Sequence, residues 1–316
     1  MINSHSSICP QQGDNNNLLP FIEKDSLFFS LAGLILSVVS ENNPIFNRSL
    51  PDADKKFIAS HDEMGHVDIN IAPCREEHLC RDFTRKIFTQ QRMAFCRTED
   101  GYVQLFFSTE DTLAPSCGIS VDFNFSKFNY YIHDDAKEEF DPCKLASNIF
   151  LLQHSFINHQ GLIIHAAGGS IYGKGIAFAA PSQTGKSTLS RLFLLSPQNR
   201  LFSEDRLIIR SVNTTWQVWG TPWLGSGTIA CNEHAPLSAL VFLSQANETK
   251  VTRLSPSVGL RRLLQVVSIP WYSPEWTHKG LAVCESLIQT IPMFELAFRP
   301  DQTAVQAVER LASALC

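Results

Sequence analysis

Four consecutive residues, Gly185, Lys186, Ser187 and Thr188, are of the types that close a phosphate-cradling loop. Such a loop works because a turn after a strand aims successive backbone N–H groups inward while the following helix adds its positive end. Gly185 lets the backbone approach the phosphates, Lys186 reaches the β and γ oxygens, and the Ser187 hydroxyl joins a Mg²⁺ shell. Thr188 adds a backbone amide, and Pro181, Ser182, Gln183 and Thr184 form the body of the loop. The opening position, five residues before Gly185, normally holds glycine and here holds Ala180. If φ there is positive, alanine costs about 1–2 kcal/mol, roughly tenfold in affinity, and if φ is negative it costs almost nothing.

A nucleotide loop alone does not say whether phosphate moves to water, to a substrate, or nowhere; nearby acids decide that. The stretch RLFSEDRLIIR places Glu204 and Asp205 ahead of an apolar run, followed by Arg206. An acidic pair beside an arginine can hold a metal, accept a hydroxyl proton and balance charge, whereas the alternative is a solvated turn between two short strands. His165 stands among apolar neighbours in LIIHAAGG, one hairpin upstream of the loop, either as a core histidine or as a partner of the loop. Arg206, Arg261 and Arg262 are the candidate cations for a phosphoryl transition state. Trp219 and Trp223, in WGTPWLGSG, suit either a pocket wall or core packing beside a Gly-Thr-Pro turn. His61 and His66 are five apart, which breaks the zinc-protease helix spacing. Nine cysteines without a Cys-x-x-Cys pair argue for reduced thiols rather than a zinc ribbon or a disulfide framework.

The elements that must position these groups are legible around them. Ile176 to Ala180 reads as the strand before the loop, and Ser187 to Leu195 as the helix after it, stopped by Ser196-Pro197. GLIIHAAGGSIYGKGIAFAA predicts two strands joined by a turn at Tyr172 to Gly175. Upstream, Leu27 to Val39 predicts a buried strand, too short to cross a bilayer as a helix, and residues 66 to 72 alternate with period two. RMAFCR and YVQLFFS predict a hairpin across TEDG. A helix is expected within 136 to 158, opened by Asp141-Pro142. Further on come a strand in PLSALVFLS, a helix from Ser255-Pro256, a strand in MFELAF and a last helix from Asp301. Strands alternating with helices give an α/β arrangement. The expected division is a disordered tail at 1–26, a β-rich domain at 27–140 and a nucleotide-binding domain at 141–316. With a net charge of −5, 44% hydrophobic residues and no basic run, neither nucleic acid nor a membrane surface is an expected partner. No basic region leads into an apolar one at the N-terminus, so a cytoplasmic protein is expected.

LIIHAAGGSIYGKGIAFAAPSQTGKST followed by FSEDR resembles the catalytic domain of HPr kinase/phosphorylase and its relatives, in which a histidine strand, a glycine turn, a GxSxxGKS loop and an acidic pair follow in this order. WGTPWLGSG and IPMFELAFRPD are similar to segments of HPr-kinase-related proteins, some encoded beside peptide-modification systems. The resemblance covers about 161–316 and implies a PEP carboxykinase-like P-loop catalytic domain, a mixed sheet with flanking helices, behind a smaller β-rich N-terminal domain. It also implies ATP and Mg²⁺, a protein or peptide substrate carrying an acceptor hydroxyl, and a homo-oligomer, since HPr kinases assemble into rings. Lys186 and Ser187 match the phosphate and Mg²⁺ ligands, Glu204 and Asp205 the acidic pair, of which either Glu204 or Asp205 deprotonates the acceptor while Asp205 joins Ser187 on the metal, and His165 the histidine that supports them. Glu204 replaces an aspartate, and its extra methylene displaces a carboxylate by ~1.5 Å. The glycine-rich EIRGLG-like run is replaced by Trp219 to Gly227, so the resemblance does not extend to HPr as acceptor. A small-molecule kinase on the same fold, or a nucleotide-binding regulator without phosphotransfer, are the alternative readings.

Overall fold

The computed structural model describes residues 26–39, 50–59, 67–74, 85–90, 92–107, 115–132, 149–180, 184–225 and 227–315. It is a mixed α/β structure with two mixed sheets. The first sheet takes β1 (Ser26–Leu31), β2 (Leu34–Val39), β3 (Ile69–Pro73), β4 (Arg85–Gln90), β5 (Met93–Arg97), β6 (Gly101–Phe106), β7 (Cys117–Asp122) and β8 (Lys127–Ile132), in the order β1-β2-β3-β8-β7-β6-β5-β4. The expected hairpin across TEDG is β5–β6. The expected single strand over 27–39 is instead a second hairpin, because Ala32 (φ 52°) and Gly33 (φ 73°) form a two-residue turn that folds Leu31 against Leu34. Two consecutive positive φ values match the twist of the strands they join, and the uniformly apolar flanks concealed that turn. A short helix, α1 (Asp52–Lys55), follows β2. The expected helix opening at Asp141-Pro142 lies outside the described residues; its described part is α2 (Ile149–Asn158).

The second sheet is built on one long strand, β9 (Gly161–Ile171). A two-residue turn at Tyr172 and Gly173, both at positive φ, leads to β10 (Lys174–Ala179), which enters the loop before α3 (Lys186–Phe193). Then come β11 (Asn199–Ser203), β12 (Arg206–Val212), β13 (Thr215–Trp219), β14 (His234–Gln245), β15 (Lys250–Arg253), α4 (Pro256–Leu263), α5 (Pro274–Thr290), β16 (Met293–Phe298) and α6 (Gln302–Ala314). Pairings run β9–β12–β13–β14–β10 and back to β9, a closed ring, with β16 and β15 continuing beyond β14. β10, β14 and β16 lie parallel and side by side. In open α/β sheets the C-terminal ends of such strands are where ligands bind, and here that end carries the Gly185 loop. The sequence reading missed α5, although Ser273-Pro274 is an opening of the same type as the one that marked α4.

One face of the parallel trio buries Phe178, Leu189, Phe193, Leu296 and Phe298 against α3 and α6. The other face joins the first sheet and the remaining helices in one apolar cluster that includes Phe29, Phe125, Leu207 and Trp276. Polar contacts cross the same boundary. The Ser155 hydroxyl donates to the Phe125 carbonyl at 2.7 Å, and Arg210 Nη1 donates to the Ala32 carbonyl at 2.9 Å.

His154 sits at this junction, fully buried, stacked on Phe125 at 4.1 Å and edge-on to Trp276 at 4.9 Å. Its Nδ1 lies 3.1 Å from the Phe150 carbonyl, which can only accept, so Nδ1 carries the hydrogen and Nε2 accepts from the Tyr272 hydroxyl at 2.9 Å. Burial pushes its pKa down to about 3. Below pH ~6.5 the unfolded chain therefore binds a proton that the folded chain refuses, and stability falls as pH falls toward 3. Urea unfolding should lose roughly 2 kcal/mol from this group between pH 7 and pH 5, and that part of the loss should vanish in His154→Phe.

Candidate functional site

β10 ends at Ala179, and α3 begins at Lys186 directly after Gly185. Gly185, the residue before α3, has φ 105° and ψ 14°, and a Cβ there would stand 2.9 Å from the Phe298 ring. Both backbone and neighbour therefore require glycine. Ala180, by contrast, is not among the described residues with positive φ, so the alanine at the opening of the loop carries no backbone strain. Pro181, Ser182 and Gln183 lie outside the described residues. Thr184 is half-buried, and Ser187 and Thr188 are exposed on the first turn of α3.

Lys186 turns inward. Its ammonium donates to the Ala180 carbonyl at 2.6 Å and to Nε2 of His165 at 3.1 Å. An ammonium has only donors, so Nε2 is unprotonated and Nδ1 carries the ring hydrogen. Nδ1 lies 3.4 Å from Oδ1 of Asp205. That separation does not make a hydrogen bond, and Nδ1 is buried without one, although the carboxylate lies beside the ring. Arg206 Nε stands 3.5 Å from the other oxygen, Oδ2. Burial, and next the Lys186 charge, hold His165 below its usual pKa, with Asp205 opposing. Burial lowers Lys186 as well, again opposed by Asp205. A neutral imidazole thus stands between the Lys186 ammonium, which it binds, and the Asp205 carboxylate, which it approaches.

The sheet makes this line. β11 and β12 run along one edge of β9, with Ser203 opposite Gly168 and Arg206 opposite His165. Glu204 and Asp205 interrupt what is otherwise one continuous strand, which puts Asp205 beside His165. The alternative of a plain solvated turn does not hold, because both acids are partly buried and contacted.

The described residues 219–225 and 227–231 form a strap over the pair. It is tied at one end by the Thr221 hydroxyl donating to the Arg206 carbonyl at 2.6 Å, and at the other by Cys231 N–H donating to the Phe202 carbonyl at 3.0 Å. Between these ties, Thr228 N–H donates to Oε2 of Glu204 at 3.2 Å. A Cβ on Gly225 would come within 2.8 Å of the Asp205 carboxyl, and one on Gly227 within 1.8 Å of Glu204 Oε2. Sequence reasoning missed this contact, for which the Gly-Ser-Gly spacing was the available signal. Trp223 is buried in the core, and Trp219 stacks on His234 at 4.0 Å, so core packing accounts for both.

Of the candidate cations, Arg206 meets Asp205, Arg262 is bound to Glu295 at 3.0 Å, and Arg261 is exposed on α4. His61 and His66 lie outside the described residues. Among the described residues no group of three or more His, Cys, Asp or Glu is placed to hold a metal. Mg²⁺ bound with a nucleotide needs only one or two protein oxygens beside phosphates and water, a role that the exposed Ser187 hydroxyl and the Asp205 carboxylate fit.

No family model and no curated protein matches the chain. Among solved structures, the Hpr(Ser) kinase/phosphatase from Coxiella burnetii is similar with a TM-score of 0.28 and 11% identity, over 48% of this chain and 88% of that one. At that level of likeness the chemistry of the site rests on its own residues. No helix among the described residues is long and apolar enough to cross a membrane.

Proposed function

We propose that the protein is an ATP- and Mg²⁺-dependent kinase that transfers the γ-phosphate to a serine or similar hydroxyl of a protein or peptide. The observation that carries this reading is the line Lys186–His165–Asp205, which joins the phosphate loop to a carboxylate through one imidazole. In this reading the amides opening α3, with Gly185, bind the terminal phosphates, and Lys186 neutralises them. Mg²⁺, held by Ser187 and an oxygen of Asp205, would supply charge neutralisation and alignment of the phosphates. A carboxylate of the acidic pair takes the acceptor's proton as the hydroxyl oxygen bonds to phosphorus. His165 restrains both charged partners, and Arg206 adds positive charge beside the acid. Most of the acceleration comes from positioning and electrostatics. Residues 141–316 form the catalytic part, and the sheet of 27–140 recognises the partner.

The test is ADP release from Mg·ATP, with γ-labelled ATP, in the presence of a serine- and threonine-containing peptide library, free serine or oxaloacetate. Mg²⁺-dependent ADP release, with label passing to peptide, is the expected result. Label on free serine instead identifies a small-molecule kinase. ATP binding with no ADP release under any condition leaves a nucleotide-sensing regulator and refutes phosphotransfer.

A further inference from the structure

We infer that the two acids divide the work: Glu204 is a positioning residue that clasps the strap between Thr221 and Cys231, and Asp205 alone receives the proton. The second half of this inference rests on the phosphotransfer reading; the first does not.

The two carboxylates are adjacent in sequence yet engaged on different partners. Oε2 of Glu204 accepts from Thr228 N–H at 3.2 Å, and Gly227 passes so close that any side chain there would occupy the space of that oxygen. Asp205 has Oδ1 3.4 Å from His165 and Oδ2 3.5 Å from Arg206, and His165 in turn is 3.1 Å from the Lys186 ammonium. Only Asp205 is therefore connected to the phosphate loop. The length of glutamate also finds a reason. An aspartate at 204 would fall ~1.5 Å short, and the bond to Thr228 would be lost. With the strap tied at Thr221, at Cys231 and by Glu204, Gly225 is held against the Asp205 carboxyl, which fixes the face that Asp205 offers to an acceptor. In the transfer step the acceptor O–H bond breaks and its proton goes to the Asp205 oxygen that does not hold Mg²⁺. The acceptor oxygen forms a bond to the γ-phosphorus, and the bond from that phosphorus to the β–γ bridging oxygen breaks, its electron pair leaving on ADP.

Three variants separate positioning from proton transfer. Glu204→Gln keeps an oxygen that can accept from Thr228 but takes no proton at neutral pH, so it should lose less than tenfold in ADP release with the peptide library. Glu204→Asp keeps the carboxylate but not the reach, and should lose more than Glu204→Gln, mainly through a higher KM for the peptide. The opposite order, with Glu204→Gln reduced a hundredfold or more and Glu204→Asp active, makes Glu204 the base and overturns the inference. The clasp is read independently by hydrogen–deuterium exchange over 227–231. Gly227→Ala should speed exchange there in the wild-type background and change nothing further in Glu204→Ala, since the clash and the bond involve the same carboxylate. Equal effects of Gly227→Ala in both backgrounds would show that no clasp exists. If the wild-type protein releases no ADP, the role given to Asp205 fails together with the phosphotransfer reading, while the exchange measurement still decides the clasp.

Discussion

Asp205→Asn is expected to lower kcat for Mg·ATP turnover by about 10²–10⁴-fold, the range a positioned general base supplies, while ATP still binds. Asparagine keeps the shape that packs against Gly225 but has no basic oxygen and no charge. The amides at the start of α3 and the Lys186 ammonium are untouched, so ATP is still held, while loss of the carboxylate oxygen assigned to Mg²⁺ should raise the KM for Mg·ATP as well as lower kcat. A second readout comes from His165. The Asp205 carboxylate is what raises the His165 and Lys186 pKa values against burial, so removing it should move both further down. An NMR titration of His165 in Asp205→Asn that moves upward would contradict the geometry, whatever the kinetics show.

Lys186→Met is the second large effect. Methionine keeps the buried stem but removes the charge, and with it the bonds to the Ala180 carbonyl and His165 Nε2. Loss of a single preorganised charge of this kind costs about 10²–10³-fold in kcat, roughly 3–4 kcal/mol. Since the Lys186 charge is the second cause lowering His165, its removal should let that histidine titrate at higher pH, opposite in sign to the effect of Asp205→Asn. The pair of titrations tests the line Lys186–His165–Asp205 without reference to any acceptor. Wild-type-like turnover in Lys186→Met would remove the phosphate loop from the reaction altogether.

The parts of this site that were legible in the sequence are local ones. Gly185 announces a tight turn, Ile176 to Ala180 an apolar strand and the residues after Lys186 an amphipathic helix, each within one short window; the left-handed φ of Gly185 is not legible there. His165 stands out by its place one hairpin upstream of the loop, and the resemblance makes it a support for the acidic pair, whereas its hydrogen bond to Lys186 appears only once β9 and β10 pair. What stayed hidden depends on register. Whether Glu204 and Asp205 face the same way is decided by the interruption between β11 and β12 and by a strap that returns from Gly225 to Thr228, neither of which is encoded within the acidic pair. In the first sheet, β4, β7 and β8 escaped notice because their partners are set by the sheet order rather than by their own alternation. The ring of pairings through β9 is likewise invisible in any window shorter than the 85 residues from Gly161 to Gln245.

The shared apolar cluster has a consequence for how this protein can vary. Because Phe29 and Phe125 from the front of the chain and Leu207 and Trp276 from the back bury one another, neither half owns a complete interior. Exchanging the front sheet for another would strip a greasy wall from the half that carries the Gly185 turn. Any change to that sheet must therefore be made in place on its outward side, because it cannot be shuffled as a detachable module.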